Sequence, residues 1–412
     1  MPELLAPAGD LEKLKAAVRF GADAVYLAGK AFGMRAAAGN FTAEEMAEGI
    51  AYAHERGVRV YVTVNTSPRT PEYGALSAYL TELGALGPDA LIVGDLGVLS
   101  VVRRTLPDMP IHISTQANVV SAEAALAYAA LGAERIVLSR ELSLREITAI
   151  RAALPESVEL EVFVHGAMCI SYSGRCLLSQ YLAGRDAGHG ACTQPCRWQY
   201  RVERADAILR EEKRPEEPIP IHEEGGETFV MSSRDLSMIA HIPELLRAGI
   251  ASFKIEGRMK SAYYTAVVTN AYRMAIDACL AGDETYDPAW GAEVESVSHR
   301  DYDTGYFFDS PHTHPKITER DGYLREKAYL AKVISYDPTT GTALLEQRNK
   351  LTEGDAVELL TPGRPGIPFS ARGLTDPDGV PIPSAPHPKM LYRLPVPIPV
   401  SEGDLLRGGE MQ

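Results

Sequence analysis

Four cysteines stand close together in this chain, at Cys169, Cys176, Cys192 and Cys196, in the pattern Cys-x6-Cys-x15-Cys-x3-Cys. Four thiolates complete either a tetrahedral zinc site or a [4Fe–4S] cluster. Structural zinc favours a tight Cys-x2–4-Cys knuckle on each side, and only Cys192-x3-Cys196 has that form. The wide first pair suits a larger cluster. A lone nucleophilic cysteine working with His165 is a third chemistry, but it leaves three thiols without a task. The fifth cysteine differs in kind. Cys279 lies in YRMAIDACLAG, with Val268, Tyr272 and Ala275 at helical spacing, and reads as a small buried hydrophobe.

Compartment decides between disulfides and these alternatives. Hydrophobic residues make up 45% of the 412-residue chain. No run reaches the ~18 apolar residues of a spanning helix, so no membrane partner is expected. The start, Met1-Pro2-Glu3-Leu4-Leu5, has neither the basic nor the apolar region of a signal peptide. The expectation is a cytoplasmic protein with reduced thiols, where a cysteine cluster means metal or catalysis. A formal charge of −14 argues against a general polyanion binder but leaves room for a local basic patch.

The elements that must position these residues alternate regularly. β-rich runs occur at Glu3–Ala6, Ala24–Ala28, Arg59–Asn65, Ala90–Gly94, Ile111–Thr115, Arg135–Ser139, Glu159–His165 and Ser252–Glu256. Helical segments lie between them. Asp10 offers an N-cap to the first, and a Thr42-x-x-Glu45 capping box opens the second. Eight βα units predict a TIM-like (β/α)8 barrel over residues 1–282, close to the usual size of about 250 residues. A doubly wound open sheet is the competing α/β fold, but no Gly-x-Gly-x-x-Gly follows the first strand. The rhythm breaks after strand seven, where the insertion 166–232 holds all four clustered cysteines and the polar stretch REEKRPEEPIPIHEEGGE, expected as an exposed excursion. The helical rhythm resumes with DLSMIAHIPELLRAG. Residues 283–327 read as a connecting segment without periodicity. Short alternating strands and turn residues then predict a small all-β barrel over 328–412.

Active sites of such barrels lie at the carboxyl ends of the strands. Those ends carry Asn65, Asp95, Gln116, Arg140, Glu141, His165, Glu256 and Arg258, with Lys260 just beyond. Arg140 and Arg258 are the natural anion binders, since guanidinium forks match carboxylate and phosphate geometry. Each could instead be committed to an ion pair with Glu141 or Glu256. His165 could act as an acid–base group or sit hydrogen-bonded inside the barrel. Ser143 and Ser261 read as helix caps.

The run Glu161-x-Phe163-x-x-Gly166-Ala167-Met168-Cys169-x4-Gly174-x-Cys176-x-Leu178-Ser179 resembles the signature of the U32 family, long catalogued as peptidases or collagenases. The likeness extends to LLAPAG at the start, SRDLS at Ser233–Ser237, FKIEGRMKS at Phe253–Ser261 and the final DLLR. Within that family, HGAMCISYSGRCLLS followed by CTQPCRWQY is most similar to the bacterial tRNA hydroxylation proteins. That resemblance implies synthesis of 5-hydroxyuridine at the wobble position, with the tRNA anticodon region as partner and prephenate, a small carboxylate metabolite, as co-substrate. Relatives in the family act on ribosomal RNA and on ubiquinone precursors, and several carry a [4Fe–4S] cluster. The resemblance therefore proposes Cys169, Cys176, Cys192 and Cys196 as cluster ligands. The fourth position falls to Cys196, because Ser232 and Ser233 stand ahead of RDLS where some relatives bring a ligand from elsewhere in the chain.

His165, Arg140, Glu256, Arg258 and Lys260 are then the candidate catalytic residues, and Asn65, Gln116 and Trp198 the candidate substrate contacts. A flipped base needs stacking rings, which Tyr172, Tyr181, Trp198 and Tyr200 could supply, although Trp198 could equally pack the insertion on the barrel. Lys332, Gln347, Arg348, Asn349 and Lys350 give the C-terminal unit a surface for the tRNA body. A peptidase is the alternative, with zinc on the cysteines or an uncharacterised constellation. No Ser-His-Asp set, His-Glu-x-x-His or Gly-x-Ser-x-Gly is visible to support it. A non-catalytic RNA-binding factor is the third class.

Overall fold

The computed structural model describes residues 1–35, 38–172, 175–198, 233–309, 324 and 327–408, and the backbone of four short strands between 209 and 229. The acidic stretch of the insertion, Tyr200 and Ser232 lie outside the residues whose side chains are described.

Eight parallel strands form a closed ring: β1 (Glu3–Pro7), β2 (Ala24–Leu27), β3 (Arg59–Val64), β4 (Ala90–Val93), β5 (Ile111–Ile113), β6 (Arg135–Val137), β7 (Glu159–Ala167) and β8 (Ser252–Ile255). Closure is made by β8, which pairs with β1 (Glu3 opposite Ser252) and with β7 (Ser252 opposite Glu161). Every run expected as a strand is one. They are Val-, Ile- and Leu-rich without strict alternation, as strands buried on both faces must be.

The helices between them begin at side-chain caps. Asp10 opens α1 (Leu11–Arg19), the Thr42–Glu45 capping box opens α2 (Ala43–His54), Asp95 opens α4 (Leu96–Thr105) and Ser143 opens α6 (Leu144–Ala153). α3 (Tyr73–Leu86) and α5 (Ala122–Ala130) complete this half of the outer ring, and the insertion contributes the short α7 (Leu178–Ala183). Their apolar faces and the outward strand residues form one large core, while Leu5, Ala24, Tyr26, Tyr61, Ala90 and Ile92 pack inside the barrel.

Beneath that inner layer lies a charged floor. Arg135 Nη1 donates to Glu3 at 2.5 Å and to Glu161 at 3.2 Å, and Lys254 Nζ donates to Glu161 at 2.7 Å. Glu3 also accepts from the Tyr61 hydroxyl at 2.6 Å.

Two segments differ from their sequence reading. DLSMIAHIPELLRAG does not start as a helix. Asp235–Ser237 pairs antiparallel with β7, and the helix α8 (Ile242–Arg247) begins only at Ile242, with Pro243 in its first turn, where its ring is tolerated as it would not be in a helix interior. The connecting segment contains α10 (Pro288–Glu295), capped by Asp287 with Pro288 in its first turn. α9 (Ala262–Leu280), capped by Ser261 as expected, lies between them in the chain.

The C-terminal unit is an antiparallel half-barrel. β9 (Ala328–Asp337), β10 (Thr342–Gln347), β11 (Ala356–Leu360), β12 (Ile367–Ser370), β13 (Leu391–Pro395) and β14 (Leu405–Gly408) form one sheet in the order β12-β11-β14-β9-β10-β13. It has its own apolar core, yet Leu360 and Leu405 join the core of the larger barrel. Arg407 of β14 grips Glu293 of α10 through Nη1 and Nη2 at 2.8 and 2.7 Å, and the Asn270 amide of α9 pairs with the backbone of Gly363 and Arg364. No helix among the described residues is long and apolar enough to cross a membrane.

Candidate active site

The carboxyl ends of the barrel strands open into one recess, lined by Tyr26 from β2, Thr63 from β3, Ile92 from β4, Phe163 from β7 and Lys254 from β8. Residues just past the strand ends, Asn65, Gln116, Arg140, Glu256 and Arg258, complete its wall. Over it hangs the first part of the insertion, which is anchored by side chains. Ser179 Oγ accepts from the Thr193 amide at 3.0 Å, and His189 reaches Asp186 at 2.9 Å and Glu72 at 3.2 Å. Ser233 Oγ and Arg197 Nη2 both donate to the carbonyl of Met168, at 2.7 and 2.6 Å. Gly166 is required where β7 meets β8. Its φ is +107°, and a Cβ there would stand 2.4 Å from the Glu256 carbonyl oxygen.

This anchoring brings the four cysteines to one place. Cys169, Cys176, Cys192 and Cys196 all line a cavity of about 350 Å³ under the insertion. The donors around them suit thiolates or sulfide. Backbone amides of Leu178 and Gln194 point at the sulfurs of Cys176 and Cys192, each at 3.4 Å. Burial pushes the Cys169 thiol up, but Arg140, Arg35 and Arg197 outweigh it and hold the thiol below its ordinary value. Cys196 is shifted the other way, chiefly by burial. In convergence and in surrounding donors the four thiols fit a bound cluster. Among the described residues, no group of three or more His, Cys, Asp and Glu side chains is arranged to hold a metal ion as it stands. Cys279 lies far away on α9, partly buried beside Trp290.

The other expected residues divide into three groups. Arg140, Arg258, Glu256, Gln116 and Asn65 meet in the recess. Arg140 Nη1 donates to the Ala167 carbonyl at 2.8 Å and lies over the Phe163 ring. Arg258 is buried and donates to the Met34 carbonyl. Glu256 is kept ionised: burial opposes its charge, but Arg35, Arg258, Arg140 and Lys254 together lower its pKa. Asn65 is engaged at both ends of its amide, accepting from Met34 N–H at 3.1 Å and donating to Ser114 Oγ at 3.2 Å. It holds the loop after β2 in place.

Lys260 lines the outer cavity and donates to the Ser298 carbonyl at 2.8 Å. His165 and Trp198 line neither space. His165 is buried among Tyr264, Tyr272 and Tyr302, and its nitrogens face the hydroxyls of Tyr272 at 3.4 Å and Tyr302 at 3.2 Å. Burial, aided by His299 and Lys260, drops its pKa to about 3, so the ring is neutral. Trp198 is 37% exposed and donates to the Thr193 carbonyl at 3.0 Å, on the outside of the insertion.

Two contributors escaped the sequence reading: Arg35 and Tyr26. Arg35 pairs with Glu256 at 3.5 Å from the β2–α2 loop, with φ of 65°. Its only sequence signal was position after a strand end, in a stretch without recognisable turn chemistry.

Comparison with known proteins matches this architecture in both parts. Residues 9–316 match the family described as peptidase family U32, and residues 325–407 match the peptidase family U32 C-terminal domain. The chain is 36% identical over 411 residues to tRNA hydroxylation protein P1 of Bacillus subtilis, covering 99% of this chain and 95% of that one. It is 36% identical to tRNA hydroxylation protein P of Escherichia coli, covering 96% and 94%. The E. coli 23S rRNA 5-hydroxycytidine C2501 synthase is 36% identical over 279 residues, 68% of this chain and 40% of that protein. With both family regions matched in order and the likeness running end to end, the chain belongs to the U32 family.

Proposed function

We propose that this protein hydroxylates a pyrimidine base of RNA, and specifically the wobble uridine of tRNA to 5-hydroxyuridine with prephenate as co-substrate. The observation that carries the reading is the end-to-end likeness to two tRNA hydroxylation proteins in a chain whose cysteines and cations converge at one barrel mouth. Cys169, Cys176, Cys192 and Cys196 would hold a [4Fe–4S] cluster, which supplies one-electron chemistry when bound.

The remaining residues bind and orient. Arg140, Arg258 and Lys254 give the recess a positive field suited to a carboxylate. Glu256, held ionised, fixes Arg35 beside Cys169. The insertion covers the thiols, which stay partly exposed, and Tyr172 in the recess offers a ring for stacking.

The test is direct. Protein prepared without oxygen is analysed for iron and sulfide, then incubated with unmodified tRNA with and without prephenate, and the nucleosides are weighed by mass spectrometry. The expected result is about four irons per chain and a prephenate-dependent gain of one oxygen on uridine. Stoichiometric zinc without iron would overturn the cluster. Metal-dependent cleavage of a peptide library with no change in tRNA would favour the peptidase alternative.

A further inference from the structure

Two chambers meet at the thiols. The inner one, about 90 Å³, lies down inside the barrel between Tyr26, Thr63, Phe163, Lys254 and Arg258. The outer one, about 350 Å³, lies under the insertion beside Ile170, Leu178, Pro195 and Met259. Cys169, Cys176, Cys192, Arg35 and Glu256 line both chambers and so form the partition between them.

Their chemistry differs. The inner chamber sets Arg35, Arg140, Lys254 and Arg258 against one lining carboxylate, Glu256. Two of its donors are buried and unpartnered: Nη1 of Arg258 and Oγ1 of Thr63, on residues 3% and 4% exposed. An unpaired guanidinium N–H left in a buried site is costly, and an oxyanion satisfies it with a charge-assisted bond. The inner chamber admits a carboxylate but is too small for a base with its ribose. The outer chamber falls within the size range of ligand pockets, and the part of its wall made by Ile170, Leu178, Pro195 and Met259 suits a flat, uncharged face, with Arg197 and Lys260 charged beside it.

We propose that the partition separates two reactants: the inner chamber takes the carboxylate of a small organic acid on Arg258 and Thr63, and the outer chamber takes an unstacked RNA base against Leu178 and Met259. The identity of the outer occupant rests on the RNA-hydroxylation reading above. A cluster on the four thiols would take the cysteine-lined side of the outer chamber, and the base would take the side lined by Leu178 and Met259.

Calorimetric titration of the full-length protein, prepared without oxygen, tests this with two probes: malonate and a short uridine-containing oligoribonucleotide. Both bind the wild type. Arg258→Met weakens malonate by about tenfold or more and leaves the oligonucleotide within about twofold. Thr63→Val acts in the same sense, more weakly, and retains the guanidinium should Arg258→Met fail to fold. Leu178→Trp, which fills the outer chamber, does the reverse. Failure of the wild type to bind either probe overturns the proposal. So does malonate binding indifferent to both inner changes, or one folded variant that weakens both probes alike. A negative hydroxylation assay with this partition intact would refute the activity and leave the chambers standing.

Discussion

Replacing Arg407 by Met should loosen the half-barrel from the larger barrel by an amount that the structure allows to be estimated. Arg407 is 2% exposed and donates to Glu293 twice, to Glu358 through Nε at 2.8 Å, and to Ser296 Oγ at 2.8 Å. Methionine fills much of the same volume, so the loss is mainly electrostatic. Glu358 is partly exposed and keeps Lys327, so its share is small. Glu293 is 4% exposed and would keep the Gly366 amide at 3.0 Å, a single N–H in place of a bidentate cation. Removing one partner of a buried pair costs about 3–5 kcal/mol. At about 1 °C per kcal/mol for a 412-residue chain unfolding as one unit, the midpoint should fall by roughly 4–6 °C. Trp290 lies on α10, three residues from Glu293, so its fluorescence should report the early loss in urea or on heating. The double variant Glu293→Leu/Arg407→Met should recover most of the loss, because no buried carboxylate is left unpaired. A single-variant loss below about 1 kcal/mol, or a double variant as unstable as the single, would refute the reasoning.

Cys279→Ala should leave iron content unchanged, whereas Cys196→Ser should lower it; equal loss in both would mean the ligand set is misassigned. Arg140→Met should abolish base modification while costing only about 1–3 kcal/mol for the lost bond to Ala167, and retained activity with a large drop in midpoint would make Arg140 a structural residue. His165 has its folded pKa depressed to about 3, so its contribution to stability is full above the unfolded value and is lost as pH falls below about 6.5. Relative to His165→Gln, the wild type should lose about 1.4 kcal/mol per pH unit between pH 6 and 4 in urea titrations; parallel curves would mean that His165 is not buried neutral.

The sequence was most legible where local signals agree with the fold. Eight apolar runs with capped helices between them fit a parallel barrel better than the competing open sheet, and Asp10, Thr42, Ser143 and Ser261 cap as their positions suggested. All four cysteines of the insertion line one cavity, a juxtaposition that their closeness in the chain made easy to expect. Less legible were residues whose place depends on distant partners. His165 sits at a strand end, yet the last residues of β7 turn it toward Tyr272 and Tyr302, elements over a hundred positions away. Asn65 looked like a substrate amide until Met34 and Ser114 occupied it. Arg35 was invisible because nothing local marks a left-handed arginine, a conformation supported here by Glu256 across the mouth. The extra strand Asp235–Ser237 is short, and its pairing with β7 and with Tyr302–Asp303 is entirely non-local.

The charged floor of the barrel also sets the stagger at which the ring can close. Strand register in a barrel fixes its shear, and an apolar interior tolerates a slip of two residues because inward positions remain apolar. Here a slip of β7 by two would bring Phe163 to the level of Glu161 and leave Arg135 and Lys254 facing a ring instead of a carboxylate. Each uncompensated charge costs several kcal/mol, a large part of the stability of any domain. The last strand, β8, follows the long insertion in the chain and closes the ring between β7 and β1. Lys254 finding Glu161 then checks the closing step, and a misregistered ring is rejected by its own unpaired charges.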